Sequence, residues 1–221
     1  MNRTQTRLLV ALIILALAAG LVMFVGGYSS RALGLSPEAR AIARLSASEP
    51  AARLEAVKSL RGSDLSPAAV NALTPLLADP DPQVGYQAAM ALGEAQTPAA
   101  RQALIAALDN SNSLVRIRAA EALSAHPTAE AAPALSRLLL NNDDAALPAA
   151  KALVKIDNDV ARNALWMSLA DEKQTSRQRA AASALLENGQ ASVEMLKQAQ
   201  LSGIPALRAN ATVLLDQIKV Q

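Results

Sequence analysis

A period of about 31 residues runs through most of this chain and limits its fold more than any other feature. Helix-start signals stand at Ser36-Pro37, Ser66-Pro67, Thr97-Pro98, Thr128-Ala129, Asn158-Asp159 and Gln190-Ala191. Their spacings are 30, 31, 31, 30 and 32 residues. Each start offers a side-chain acceptor for free helix N–H groups. Three also place Pro at the first helical position, where its missing N–H costs nothing. The stretches SPAAVNAL (66–73), TPAARQAL (97–104), TAEAAPAL (128–135) and NDVARNAL (158–165) end alike in Ala-Leu. A unit this short cannot bury its own apolar face, so neighbouring units have to stack.

The second half of each unit repeats as well. Ala88-Ala89-Met90-Ala91-Leu92 returns as Ala119-Ala120-Glu121-Ala122-Leu123, as Ala149-Ala150-Lys151-Ala152-Leu153 and as Ala181-Ala182-Ser183-Ala184-Leu185. Polar turns divide the halves: DPDP (79–82), DNSNS (109–113), NNDD (141–144) and DEKQTS (171–176). The unit is therefore helix A, turn, helix B, turn. Only one Trp, two Tyr and one Phe occur in 221 residues, so Ala and Leu have to form the core. Small side chains let helix axes approach closely, and no stretch alternates as a strand would. The expected fold class is all-α. Pro75 and Pro133 fall inside helix A patterns and predict kinks there, since each removes a backbone hydrogen bond.

DPDPQVGYQAAMALGEA (79–95) resembles the core line of HEAT-like repeats of the type found in phycobilisome lyases. DNSNSLVRIRAAEALSA (109–125) resembles it with one extra turn residue. The resemblance covers about Ser36 to Gln221, is strongest between Ser66 and Pro127, and weakens in the first and last units, as capping repeats do. It implies a right-handed α-solenoid of about five to six helix pairs over 36–221, with a protein-binding or assembly role. It names no partner and no activity, because fold alone says little about function.

Before the repeats, Leu8 to Val25 is an apolar run without charge, extended by Gly26, Gly27 and Tyr28. As a helix these residues would reach about 31 Å, enough to cross a hydrocarbon core. Residues 1–28 therefore read as one transmembrane helix, with a cleaved signal peptide as the alternative because Ala16-Leu17-Ala18 resembles a cleavage site. Residues 29–35 read as a linker. Arg3 and Arg7 before the run favour a cytoplasmic N-terminus. The expected localisation is then single-pass membrane, through residues 8–28, with the repeats extracytoplasmic, or periplasmic in a Gram-negative source.

The pI of 9.1 invites a nucleic-acid reading that the charge distribution removes. Three of the 21 Lys and Arg, namely Arg3, Arg7 and Arg31, precede Ser36, while all 19 Asp and Glu follow it. The repeats are thus near neutral with mixed signs and lack the basic stripe that phosphate binding needs. No cysteine is present, which excludes thiolate chemistry and zinc-thiolate sites. His126 is the only histidine and sits in an inter-helix loop, without the partners that catalysis or metal binding would require. The pairs Asp79/Asp81, Asp143/Asp144 and Asp157/Asp159 precede helices, where carboxylates cap free N–H groups. No catalytic, cofactor or metal residue is expected, and no cofactor.

The expectation is a non-enzymatic, membrane-tethered scaffold or adaptor that binds other proteins of a membrane complex and no nucleic acid. Helix B positions between the repeated Ala and Leu should form a concave stripe for partners. In chain order these are Gln87, Met90 and Glu94, then Arg118 and Glu121, Lys151 and Lys155, and finally Ser183 and Glu187. Arg116, Arg177 and Arg179, near helix B starts, are placed to reach turn carboxylates. The competing expectation is an enzyme or chromophore-handling protein of the phycobilin-lyase-like group. That would require a pocket around Tyr86 or Trp166 with converging polar groups.

Overall fold

The computed structural model describes residues 35–220 except 63, 142, 143, 174 and 175. These residues are helical and contain no strand. Six helix pairs follow one another: α1 (Pro37–Arg44) and α2 (Pro50–Leu60); α3 (Pro67–Leu73) and α4 (Pro82–Ala95); α5 (Pro98–Ala107) and α6 (Ser113–Ala125); α7 (Ala132–Asn141) and α8 (Ala146–Ile156); α9 (Asp159–Leu169) and α10 (Ser176–Asn188); α11 (Val193–Gln200) and α12 (Pro205–Val220). Odd-numbered helices form an A row and even-numbered helices a B row. Short 3-10 turns adjoin three of the A helices, at Thr74–Ala78, Ala129–Ala131 and Gly189–Ser192.

Local chemistry accounts for most of the starts. Ser36 and Ser66 accept from the N–H groups of Ala39 and Ala69 at 3.1 and 3.2 Å. Thr97 and Asn158 do the same for Ala100 and Ala161 at 3.1 and 2.8 Å. In the B row, Asp81 accepts from Gln83 and Val84, and Asn112 accepts from Leu114. Each such cap is worth about 1 kcal/mol. Two expected starts are displaced. Thr128 caps nothing, and its hydroxyl is buried without a partner. The chain enters as a 3-10 turn, and the α-helix begins only at Ala132. Pro133 then falls in the first turn, where no N–H is required. Near Gln190 the chain is likewise still in a 3-10 turn. Gly189, at φ +55°, ends the preceding helix, and the next begins at Val193.

The two interior prolines act in a related way. Rather than bending a continuous helix, each marks a change of helix type. The α-helix stops at Leu73 and continues as 3-10 through Pro75, which cannot donate to the carbonyl four residues back.

The core is a double row of leucines. Leu73, Leu104, Leu135, Leu165 and Leu196 come from the A helices, and Leu60, Leu92, Leu123, Leu153, Leu185 and Leu215 from the B helices. All are buried, with alanines between them. Each B helix packs on the B helices before and after it, and at every step the B row is packed more closely than the A row.

No helix among the described residues is long and apolar enough to cross a membrane. The longest, α12, has 16 residues, short of the roughly 20 a span requires, and carries Arg208, Asp216 and Lys219. The expected single-pass membrane localisation with an extracytoplasmic or periplasmic repeat domain is therefore corrected, because the helices found are short and amphipathic. The run Leu8–Val25 lies outside the described residues, together with residues 1–34 as a whole.

Candidate protein-binding surface

The stripe positions do share one side of the molecule, the B row. Gln87, Met90 and Glu94 lie on α4, Arg118 and Glu121 on α6, Lys151 and Lys155 on α8, and Ser183 and Glu187 on α10. Met90, Glu121, Lys151, Ser183 and, on α12, Val213 occupy the same place in successive units. All nine are half-buried or exposed. Their periodic position between buried alanines causes this, since the helix turns them away from the core.

Their charges are not free, however. Arg61, at the C-cap of α2, reaches forward to Glu94 at 2.6 and 3.1 Å and to Gln87 at 3.3 Å. The N–H of Gly62 also donates to Glu94 at 2.8 Å. Burial would raise the Glu94 carboxyl, but the Arg61 and Gly62 hydrogen bonds together with the Arg61 charge hold it below its ordinary value. Arg118 lies over the Tyr86 ring at 4.7 Å from its centroid, donates to the Tyr86 hydroxyl, and pairs with Glu121 at 2.6 Å. The Tyr86 hydrogen bond, opposed by burial and helped by Glu121, keeps Arg118 firmly charged. Lys155 donates to the Ser124 carbonyl at 2.9 Å, and Lys151 pairs with Glu187 at 2.8 Å. Four successive junctions between units are therefore bridged across this face. Arg61 and Tyr86 belong to this surface and were missed by sequence reasoning. Reading the chain one unit at a time hides partners that stand a unit away.

A second set of bridges binds the turns. Arg53 donates back to the carbonyls of Ala47 and Ser48 at 2.9 Å each, and forward to both oxygens of Asp79 at 2.7 and 2.8 Å. Arg116 repeats the arrangement with the carbonyls of Asn110 and Ser111 and with Asp144. Arg177 holds Asp171 at 2.7 Å. The Arg53 hydrogen bonds, outweighing the cost of burial, keep the Asp79 carboxyl below its ordinary value. Arg116 and Arg177 thus meet turn carboxylates as expected, whereas Arg179 does not. Of the acidic pairs, Asp81 caps α4 and Asp79 serves the bridge. Asp157 ends α8 at φ 45° and, with Asp159, pairs with Arg162. Asp143 lies outside the described residues.

Among the described residues no group of three or more His, Asp or Glu side chains is arranged to hold a metal. His126 is exposed at the end of α6 beside a shallow cavity of about 120 Å³ shared with Gly93, Gln96 and Arg101. Tyr86 is engaged by Arg118. Trp166 packs against the core with its indole N–H buried and without a partner. A cavity of about 340 Å³ lies between α10 and α12, away from both aromatics.

The comparisons agree with this architecture. A model of HEAT repeats matches residues 37–124 and 70–149. Among solved structures, an engineered protein aligns at 22% identity with a TM-score of 0.50, covering 85% of this chain and 100% of its own. The complex of CpcE and CpcF of phycocyanin lyase from Nostoc sp. aligns at 22% identity with a TM-score of 0.46, covering 86% and 97%. The first likeness speaks to fold alone, and the second is too distant to speak to function. No curated protein matches. With matched units spanning 37–149, more than half of the sequence, and the same helix-pair architecture running on to Val220, the chain belongs to the HEAT-repeat family.

Proposed function

We propose that this protein is a non-catalytic scaffold that binds other proteins along the B row. One observation carries the reading. The face is bridged at four successive junctions, while the residue it presents at one repeated position changes from Met90 to Glu121, Lys151, Ser183 and Val213. A fixed frame with varied side chains suits recognition of an extended partner, because little ordering entropy is lost on binding. The polar side chains here are occupied in bridging and capping, which is the arrangement of a frame rather than of a reaction centre.

The test is site-specific photo-crosslinking in the source cells. A crosslinking side chain at Met90 or Ser183 should capture a discrete partner, and one at Asn163 on the A row should not. Equal capture from both rows, or no capture together with turnover of a small molecule by the purified chain, would overturn the scaffold reading.

A further inference from the structure

The B row does not close evenly. From α4 to α10, the residue after the repeated Leu of the B helix changes from Gly93 to Ser124, Val154 and Leu186. The residue before the repeated Leu of the following helix is Ala122, Ala152, Ala184 and then Leu214. Gly93 lies so close to Ala122 that an added methyl would stand 2.8 Å from the Ala122 Cβ. At the far end the equivalent pair is Leu186 and Leu214, and both line the open cavity of about 340 Å³ between α10 and α12. Bulk at the contact wedges the last B helix away. The cleft has about the liquid volume of eleven waters at roughly 30 Å³ each, ample for an apolar side chain. Leu169, Ala182 and Val213 complete its apolar wall, and Val213 is 53% exposed.

The rim supplies the charge argument. Arg61, Arg118, Lys151 and Lys219 each meet a carboxylate, as do Arg53, Lys58, Arg116 and Arg177. Lys155 and Arg208 donate to carbonyls. Among the cations of the described B row, Arg179 alone meets neither, and it stands at the mouth of this groove beside Gln217. The nearby amides of Asn210 and Gln178 each donate to the Leu169 carbonyl, at 2.7 and 3.5 Å.

We propose that the groove between α10 and α12 seats an aliphatic side chain of a partner peptide, with a neighbouring Asp or Glu of that peptide paired to Arg179. The inference rests on the scaffold reading and narrows it to one site and one peptide chemistry. A random peptide library displayed on phage is selected on the full chain, and the enriched peptides are measured by fluorescence anisotropy. Expected are sequences with Leu, Ile or Val next to Asp or Glu. Their binding should weaken at least tenfold in Val213→Arg and in Arg179→Glu and stay within twofold in Asn163→Glu, at an exposed position of the A row. Exchanging the peptide's acidic residue for Lys should restore binding to Arg179→Glu. Peptides that depend on Met90 and ignore Val213 and Arg179 would overturn the groove while leaving the scaffold reading intact. Failure to enrich any peptide would count against both. Self-association in sedimentation that Val213→Arg abolishes would make the occupant a second copy and overturn the peptide proposal.

Discussion

Replacing Gly93 by alanine sets two known effects against each other at one atom. In a helix, Ala is favoured over Gly by about 0.5–1 kcal/mol, so on local grounds the substitution should stabilise α4. The new methyl, however, would lie 2.8 Å from the Ala122 Cβ, where carbon atoms ordinarily rest about 3.5–4.0 Å apart. Both atoms are fixed to backbone, so neither can rotate away, and α4 and α6 must separate by roughly 1 Å. Overpacking of this kind costs about 1–3 kcal/mol. The net expectation is a loss of about 1 kcal/mol, or roughly 2–4 °C in Tm for a domain of this size. The sharper measurement is a double-mutant cycle by urea unfolding. In an Ala122→Gly background the space is free, so Gly93→Ala should become stabilising by the propensity difference alone. The two sites should then couple by at least about 1 kcal/mol. Equal effects of Gly93→Ala in both backgrounds would refute the close approach of α4 and α6.

Four further outcomes follow from the same packing and charges. Ala120→Leu or Ala150→Leu, both at fully buried positions, should lower stability by about 1–3 kcal/mol in thermal melts. Charge reversal at Arg118 or Lys151, whose pairs are a third or more exposed, should cost less than about 1 kcal/mol, and the loss should shrink as salt is added. Asp79 and Glu94 both have carboxyls held below their ordinary value, so the stability they contribute is present above about pH 5. It is lost as the pH falls through about 4 and below, and Asp79→Asn should flatten the decline of the urea midpoint in that window. Pro133→Ala should allow the 3-10 turn before α7 to become α-helical and Thr128 to cap it, read as slower amide exchange at residues 131 and 132.

Helix positions were legible where a local signal fixes them. Ser36, Ser66, Thr97 and Asn158 cap helices because a side-chain acceptor beside the first turn satisfies N–H groups that have no other partner. Thr128 carries the same signal and fails, because Pro133 five residues on competes with it for the place of the first turn. Neither residue alone reveals which of the two prevails. Gln190 failed for a related reason, since Gly189 and the bond from Asn188 to Ser192 extend the turn beyond the expected cap.

The stripe was legible in position and not in chemistry, and the difference is one of sequence range. Helical periodicity is a local property, so a window of one helix shows which positions face away from the core. What those side chains meet is set by the next unit. Arg53 and Asp79 are 26 residues apart, Arg116 and Asp144 28, and Arg61 and Glu94 33. The pair of Asp109 and Arg137 has the same range, as does that of Gln102 and Glu130. Within a stacked array a residue is brought opposite its counterpart one unit away, so opposite charges at about one period are expected to meet. The same rule identifies the exception. Arg179 has no carboxylate one period on, where α12 offers Ala209 and Asn210, and the residue before the repeated Leu, alanine in α4, α6, α8 and α10, has become Leu214. The loss of the bridge from a cation and the widening of the helix contact fall at the same junction. That coincidence, rather than the exposure of any one residue, distinguishes the α10–α12 groove from the four junctions before it.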